Sequence, residues 1–236
     1  VVISKGSKYK KLIDDIETIE LEKLKMVVGL LAAIRNNKVR VVDFGGGAGA
    51  DYYIARRLLG GGISIDWRII ETDMMVKQAK NAGLESKELK FYSSIEGALN
   101  DATSIDLVLS SCSINYTSEP IAVLHSLMQI DARYFYFTRT PMSLKPLDKP
   151  VIRQRSLLSS NGFGPIPDDI GVEDAEVSYP VTIVNKVEFE RIVNEYGRVV
   201  ISILEDKKAY CNDSEYFDLY GLLIEKYQND EKSTCN

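Results

Sequence analysis

Residues 41–53 read VVDFGGGAGADYY and contain the feature of the sequence that points most directly to ligand chemistry. Four of the five positions from Gly45 to Gly49 are glycine, directly after a β-branched apolar run. Glycine destabilises regular secondary structure by roughly 0.5–1 kcal/mol per residue, so this concentration needs a reason. This concentration of glycines favours a close approach of another molecule to the backbone, and a nucleotide-like cofactor is the first candidate.

The glycine spacing is compatible with two cofactors. Gly45, Gly47 and Gly49 fit the loop that binds S-adenosylmethionine (SAM) in methyltransferases, whereas Gly45, Gly47 and Ala50 fit the dinucleotide fingerprint. The loop does not end in Gly-Lys-Ser/Thr, which excludes a P-loop.

Two acidic residues help to choose between these cofactors. Asp43 precedes the first glycine by two positions, where a carboxylate would repel a pyrophosphate but suits the sulfonium and amino group of SAM. Glu71 ends the strand-like WRIIET, and its two oxygens can accept both ribose hydroxyls of either cofactor. A turn residue at Asp43 and a solvated strand end at Glu71 are the structural alternatives. Together the two acids favour SAM, and an NAD-dependent oxidoreductase is the alternative.

Strands and helices alternate from residue 38 onward, and this rhythm predicts a doubly wound α/β sheet. The strand-like segments are KVRVVDF, IDWRIIET, LKFYSS, SIDLVLSSCSI, ARYFYFTRT, RVVISILE and YFDLYGLLIEKY. Residues 1–37 are expected to form an N-terminal helical segment, and residues 228–236 a flexible tail. Residues 141–180 hold six of the seven prolines and are expected to form an irregular cap insertion over the site.

Composition narrows the possible partners. The net charge of −5 and pI near 5.1 argue against nucleic acid. The longest apolar stretch, residues 26–34, is far shorter than the ~20 residues of a membrane span. The three cysteines are widely spaced, which disfavours disulfides and structural zinc. The simplest expected location is the cytoplasm, and the oligomeric state is not readable.

The segments VVDFGGGAGADYY, WRIIET, LKFYSSIEGAL, IDLVLSSCSINYTSEPIAVLHSL and YFYFTRTPM stand in the order and spacing of class I SAM-dependent methyltransferase motifs, which the chain resembles over about residues 38–227. More narrowly, DFGGG, RTP and YPVTIVNKVEFERIVNEYG resemble a family of bacterial methyltransferases often encoded among genes for surface polysaccharide synthesis. The resemblance implies a Rossmann-like, mostly parallel sheet of seven strands with helices on both faces. The last strand would be antiparallel and lie between the fifth and the sixth.

The resemblance also implies roles for individual residues. The methionine moiety of SAM would lie against Asp43, Gly45 and Gly47, with Gly46 and Thr72 as further cofactor contacts. Glu71 would hold the ribose. The remaining expected cofactor contacts are Tyr92 and Ser93 at the adenine, and Ser110 and Ser111 under the sulfonium.

The fourth strand restricts the chemistry at the acceptor. It ends in SSCSINY, which lacks both an Asp for a metal and the Asn/Asp-Pro-Pro-Tyr/Phe motif of adenine methylation, so no metal is expected. An oxygen nucleophile usually needs a proton acceptor, and the candidate catalytic residues are His125, Tyr116 and Asn115. His125, the only histidine, lies between apolar residues at helical spacing, which favours a core position.

Arginine side chains suggest an anionic acceptor. Arg139 follows the fifth strand, and Arg153 and Arg155 lie in the cap segment. Because a guanidinium matches phosphate geometry, a small sugar- or phosphate-bearing molecule methylated on oxygen is predicted. An Arg139 that merely pairs with a local carboxylate is the alternative. The expected substrate-binding set is completed by Tyr52 and Tyr179. A degenerate methyltransferase domain that only binds a partner is a further alternative for the whole chain.

Overall fold

A central sheet of eight strands organises the chain in the computed structural model, which describes residues 1–12, 24–100, 102, 104–160, 166–168, 171–212 and 215–228. Its strands are β1 (Lys38–Phe44), β2 (Ser64–Ile70), β3 (Leu89–Tyr92), β4 (Ile105–Ser111), β5 (Ala132–Ser143), β8 (Val184–Asn185), β9 (Gly197–Asn212) and β10 (Glu215–Lys226). A separate two-stranded ribbon consists of β6 (Val151–Leu157) and β7 (Glu176–Thr182).

The strand order is β3-β2-β1-β4-β5-β10-β9, with the short β8 paired to the end of β5. The pairs among β1 to β5 are parallel, whereas β10 is antiparallel to both of its neighbours. This confirms the predicted mostly parallel sheet with an antiparallel last strand between the fifth and sixth. Strand β8 is an addition that the sequence did not indicate, since it is only two residues long.

Helices cover both faces of the sheet, as the alternation of strands and helices predicts. The helices are α1 (Val2–Leu12), α2 (Met26–Ala33), α3 (Ala50–Leu59), α4 (Asp73–Asn81), α5 (Ile95–Leu99), α6 (Pro120–Met128) and α7 (Lys186–Asn194). Residues of α2, α3 and α4 share one buried cluster with Val41 and Leu107, and residues of α5, α6 and α7 share another with Val42 and Val108. Neighbouring residues of β1 and β4 thus face opposite cores, which explains why both strands are apolar without interruption.

The N-terminal segment contains two helices, α1 and α2, and residues 13–23 between them lie outside the described part of the chain. Gly6 of α1 packs directly on Ala48 of the glycine loop, because a Cβ at Gly6 would collide with the Ala48 side chain. Helix α1 therefore lies against the loop that the sequence singles out. Residues 229–236, most of the predicted tail, lie outside the description.

Residues 141–180 are more regular than their composition suggests. Strand β5 continues through Pro141 to Ser143, and β6 pairs with β7 in antiparallel register along their full length. Pro180 fits within β7 because a two-stranded ribbon leaves an outward-facing backbone edge where no N–H is needed. The expectation of an irregular segment is therefore wrong for these stretches, while residues 161–165 and 169–170 lie outside the description.

Within the described residues, we find no helix with the length and apolar character that crossing a bilayer requires.

Candidate functional site

A cavity of about 950 Å³ lies at the edge of the sheet where β1, β2, β4 and β5 end. The glycine loop and Glu71 line one half, and the ends of β4 and β5 with the ribbon line the other. Helix α1 contributes four residues to the wall: Val2, Lys5, Gly6 and Tyr9. Open α/β sheets bind ligands at this edge, so the cavity is the candidate site.

The glycine loop turns through backbone conformations that other residues disfavour. Gly45, Gly47 and Gly49 have φ of 73°, 59° and 85°, and Gly49 precedes the first turn of α3. A Cβ at Gly45 would collide with Ser113, and one at Gly46 with the Asp43 carboxylate. Contacts within the protein therefore account for part of the glycine content of this loop. The remainder of the loop faces the cavity.

Asp43 lies beneath the glycine loop at the end of β1. Its side chain is almost fully buried, lines the cavity and accepts a hydrogen bond from Trp67 Nε1 at 2.9 Å. The contact to Trp67 fixes the carboxylate, and the contact of Asp43 with the methionine moiety of SAM stays a prediction. Asp43 thus supports the loop as well as facing the cavity.

Glu71 joins the end of β2 to the glycine loop. Its Oε1 accepts from the Gly47 N–H at 3.1 Å, and its Oε2 accepts from the Thr72 N–H at 3.0 Å. The Thr72 hydroxyl in turn accepts from the Met75 N–H at 3.4 Å and caps α4. The carboxylate is therefore held at the cavity wall with its oxygens oriented by backbone donors.

Two of the four residues predicted at the adenine and sulfonium line the cavity. Ser93 and Ser111 do so, whereas Tyr92 and Ser110 do not. The Tyr92 ring lies 6.0 Å from the Arg68 guanidinium, and Ser110 is buried within the sheet. The alternation of side chains along a strand explains the difference, since adjacent residues point to opposite faces.

The ends of β4 and β5 form the second half of the cavity. Cys112 follows β4, whereas Arg139 lies within β5 and not after it as predicted, at the point where the pairing of β5 with β4 ends. The two residues lie side by side, and both have positive φ, 54° and 55°. The Cys112 N–H donates to the Thr138 carbonyl at 2.9 Å, which ties the two strand ends together. Both residues line the cavity, and no carboxylate of the described part of the chain pairs with the Arg139 guanidinium.

Tyr116 connects this half of the cavity to the ribbon. Its hydroxyl donates to Gln154 Oε1 at 3.1 Å and lies 3.6 Å from Cys112 Sγ, and its ring meets that of Tyr179 at a centroid distance of 5.4 Å. Burial, and then the neighbouring Cys112, raise the pKa of Tyr116 well above its ordinary value. The group is therefore a neutral hydrogen-bond donor at physiological pH. Tyr179, a predicted substrate contact, also lines the cavity and hydrogen-bonds Ser156 at 2.8 Å.

Two predicted catalytic residues lie away from the cavity. His125 is half-buried on α6, with Nδ1 3.1 Å from the Tyr196 hydroxyl. Asn115 is buried, and its Nδ2 donates to the Thr182 and Pro141 carbonyls at 2.6 and 3.3 Å. Both side chains connect elements of the fold, so neither is placed where it could take a proton from an acceptor in the cavity.

Three predicted substrate contacts also lie outside the cavity. Tyr52 is buried on α3 and donates to Glu88 Oε2 at 3.0 Å. Arg153 and Arg155 occupy the exposed positions of β6, whereas Gln154 and Ser156 occupy the positions that line the cavity. The predicted arginine cluster is therefore reduced to Arg139, because the period of two along β6 turns the other two arginines to solvent.

The sequence reasoning missed Lys5, Gln154 and Ser156. Lys5 is buried beside the cavity, and its Nζ donates to the Ser159 carbonyl at 2.6 Å across 154 positions of sequence. The sequence carries no signal for this contact, because α1 also contains Lys8, Lys10 and Lys11. Once β6 is recognised as a strand, side chains must alternate between its two faces along VIRQRSL, and this alternation was the signal for Gln154 and Ser156.

No protein-family model and no curated protein matches the chain. Among solved structures, a SAM-dependent methyltransferase from Clostridium acetobutylicum ATCC 824 is similar at a TM-score of 0.52 and 12% identity, covering 95% of this chain and 98% of that one. Magnesium protoporphyrin IX methyltransferase from Synechocystis PCC 6803 with bound SAM is similar at 0.51 and 13% identity, covering 95% and 93%. A SAM-dependent methyltransferase from Thiobacillus denitrificans in complex with S-adenosyl-L-homocysteine (SAH) follows at 0.50 and 13%, covering 92% and 97%. At these identities the likeness concerns the fold, and the chain has the mixed α/β, Rossmann-like fold of class I SAM-dependent methyltransferases.

Proposed function

We propose that the protein is a SAM-dependent methyltransferase. The observation that carries the proposal is the glycine loop and the oriented Glu71 carboxylate lining one half of a cavity whose other half is open to a second molecule. The residues fit the cofactor: the loop has backbone close to the cavity, Glu71 offers acceptors for a ribose, and Asp43 suits a cationic moiety. When bound, SAM supplies an activated methyl group for transfer to a nucleophile.

We further propose that the acceptor is a small anionic molecule methylated on oxygen. Arg139 supports this, because it is a guanidinium at the wall of the second half and has no carboxylate partner within the described chain. Tyr116, Tyr179, Gln154 and Ser156 surround it with neutral polar groups. Such a lining holds an acceptor by hydrogen bonds, and the rate then depends mainly on its orientation toward the methyl group.

Tyr116 is assigned as an orienting hydrogen-bond donor and not as a base, since its raised pKa keeps the hydroxyl protonated. The acceptor class proposed here includes sugar- or phosphate-containing precursors of a bacterial surface polysaccharide. That finer assignment rests on the resemblance of DFGGG, RTP and YPVTIVNKVEFERIVNEYG and on the anion preference of Arg139.

Calorimetry with SAH and with NADH tests the cofactor assignment. We expect heat of binding from SAH and none from NADH. Asp43→Asn, which keeps the size of a side chain that contacts Trp67, should weaken SAH, and Asp106→Asn at the opposite end of the neighbouring strand is the matched control. Binding of NADH without SAH would establish the oxidoreductase alternative.

Release of SAH from SAM in the presence of sugar nucleotides and cell-envelope precursors tests the enzyme assignment. An acceptor-dependent increase in SAH is expected. SAH binding without turnover on any acceptor extract would favour the degenerate binding domain instead.

A further inference from the structure

Two β-bulges meet across β10 beside the cavity. Strand β10 contributes only Gly221 to a stretch in which β5 contributes two residues, Thr138 and Arg139. On the other side of β10, β9 contributes one extra residue, Glu205. Bulges interrupt the backbone ladder and redirect side chains, so these residues are free to make contacts that a regular sheet would not allow.

The Glu205 side chain is fully buried and crosses β10 at Gly221. Its Oε1 accepts from the Thr138 hydroxyl at 2.5 Å, and its Oε2 accepts from the Arg139 N–H at 2.7 Å. Lys25 Nζ lies 3.7 Å from Oε2 and offsets the charge. A Cβ at position 221 would collide with Oε1, so the absence of a side chain there is what lets the carboxylate cross the strand.

This contact explains how Arg139 keeps a backbone conformation that arginine disfavours. The bulge removes the Arg139 N–H from the ladder, and Glu205 supplies its partner. With φ held at 55°, Arg139 lines the cavity, where its positive charge opposes the rise in the pKa of Tyr116. The carboxylate of Glu205 on β9, which β10 separates from β5, thus determines where the Arg139 guanidinium lies.

We propose that Glu205 is a positioning residue for the acceptor: by holding the Arg139 backbone, it places the guanidinium that binds the acceptor's anionic group. This inference rests on the proposed function, in which Arg139 contacts the acceptor. It adds that the anion site depends on a residue of β9 that never touches the ligand.

The test titrates SAH-saturated protein with phenyl phosphate, followed by ³¹P NMR. Glu205→Gln removes the charge and one acceptor at nearly constant size, and it should weaken phenyl phosphate about tenfold while the SAH Kd changes less than about twofold. Glu225→Gln on β10 is the matched control, because Glu225 lies near the C-terminal end of that strand, where its carboxylate pairs with Arg198 at 2.7 Å. It should leave both affinities as in the wild type.

Gly221→Ala displaces the carboxylate without removing it and should reproduce the loss of phenyl phosphate affinity, which keeps the test valid if Glu205→Gln folds poorly. In an Arg139→Gln background, Glu205→Gln should cause no additional loss, because the two residues act on one contact.

Unchanged phenyl phosphate affinity in Glu205→Gln and Gly221→Ala, or additive losses in the double variant, would overturn the inference while SAH binding still supports the methyltransferase. A wild type that binds SAH but not phenyl phosphate would also overturn it. Failure to bind SAH would instead reject the proposed function.

Discussion

Glu71 uses both carboxylate oxygens: Oε1 accepts from Gly47 of the glycine loop, and Oε2 accepts from Thr72 at the start of α4. Glu71→Gln replaces one of these oxygens by an NH2 group that cannot accept, and it also removes the charge that a ribose would meet. We expect SAH affinity to fall roughly tenfold, the scale of one hydrogen bond to a charged group. Calorimetry checks this, with the exposed Glu96→Gln on α5 as the control. Equal SAH affinities in the two variants would show that Glu71 does not contribute to cofactor binding.

At the scale of single residues, most of the residues predicted to contact the cofactor line the cavity, whereas most of those predicted to contact the acceptor do not. Asp43, Gly47 and Glu71 are adjacent to strand ends, and a strand end fixes where its next residue lies. Arg153 and Arg155 were misplaced because their facing depends on β6, a strand that the prolines concealed. The contact of Glu205 with Arg139 spans 66 positions and two bulges, and no local pattern specifies it.

At the scale of the elements, both the backbone conformation and the close packing of the loop require glycine. Gly45 combines φ of 73° with the Ser113 side chain in the space where a Cβ would be. Gly45→Ala should therefore lower stability by about 1–3 kcal/mol and weaken SAH binding. Gly62→Ala is the matched control, because nothing lies within 4 Å of a Cβ at that position, and it should be neutral or slightly stabilising. Urea unfolding and SAH titration measure both effects, and equal stabilities in the two variants would contradict this account of the loop.

The ribbon of β6 and β7 is the element that joins the two halves of the cavity. Gln154 contacts Tyr116, and Ser159, directly after β6, contacts Lys5 of α1. Occupation of both halves should stabilise this ribbon against local opening, because a ligand can contact the ribbon only while it lies against the cavity. The proposed cap would thus be an ordered ribbon with Arg153 and Arg155 exposed on its outer face.

Trypsin tests this role of the ribbon, since both exposed arginines of β6 are cleavage sites. We expect SAH with phenyl phosphate to slow cleavage at Arg153 and Arg155 severalfold, while cleavage at the exposed Arg57 at the end of α3 is unchanged. Mass spectrometry of the fragments measures the three rates in one sample. Cleavage of β6 at the same rate with and without ligands would leave the ribbon without a closing role.

At the scale of the whole molecule, the sequence pattern predicts the class of the sheet, and the resemblance to methyltransferase motifs implies the place of its antiparallel last strand. The added strand and the bulges were not predictable. Alternating apolar strands and amphipathic helices restrict the chain to a doubly wound sheet, and the buried pattern of β4 places that strand at its centre. The added β8, the long β9 and the bulges depend on pairings between distant segments. Such pairings are decided by the packed core and not by local propensity.

The core also makes the stability of the whole molecule sensitive to alkaline pH. Burial raises the pKa of Tyr136, at the centre of β5, to about 12, and it raises the pKa of Tyr53 and Tyr116 above the ordinary value of 10.0. Between pH 10 and 12 the unfolded chain loses these phenolic protons while the folded chain keeps them, so raising the pH favours unfolding.

For Tyr136 alone, the free energy of unfolding should fall by about 1 kcal/mol between pH 10 and pH 11. Urea unfolding at pH 8, 10 and 11 measures the slope for the wild type and for Tyr136→Phe. Phenylalanine has no proton to lose, so the variant should lose less stability over the same interval, whatever its stability at pH 8. Identical slopes in the two proteins would mean that the Tyr136 hydroxyl ionises as easily in the folded core as in the unfolded chain. That result would conflict with the burial of this ring, which packs in the core against α2 and has no exposure to solvent.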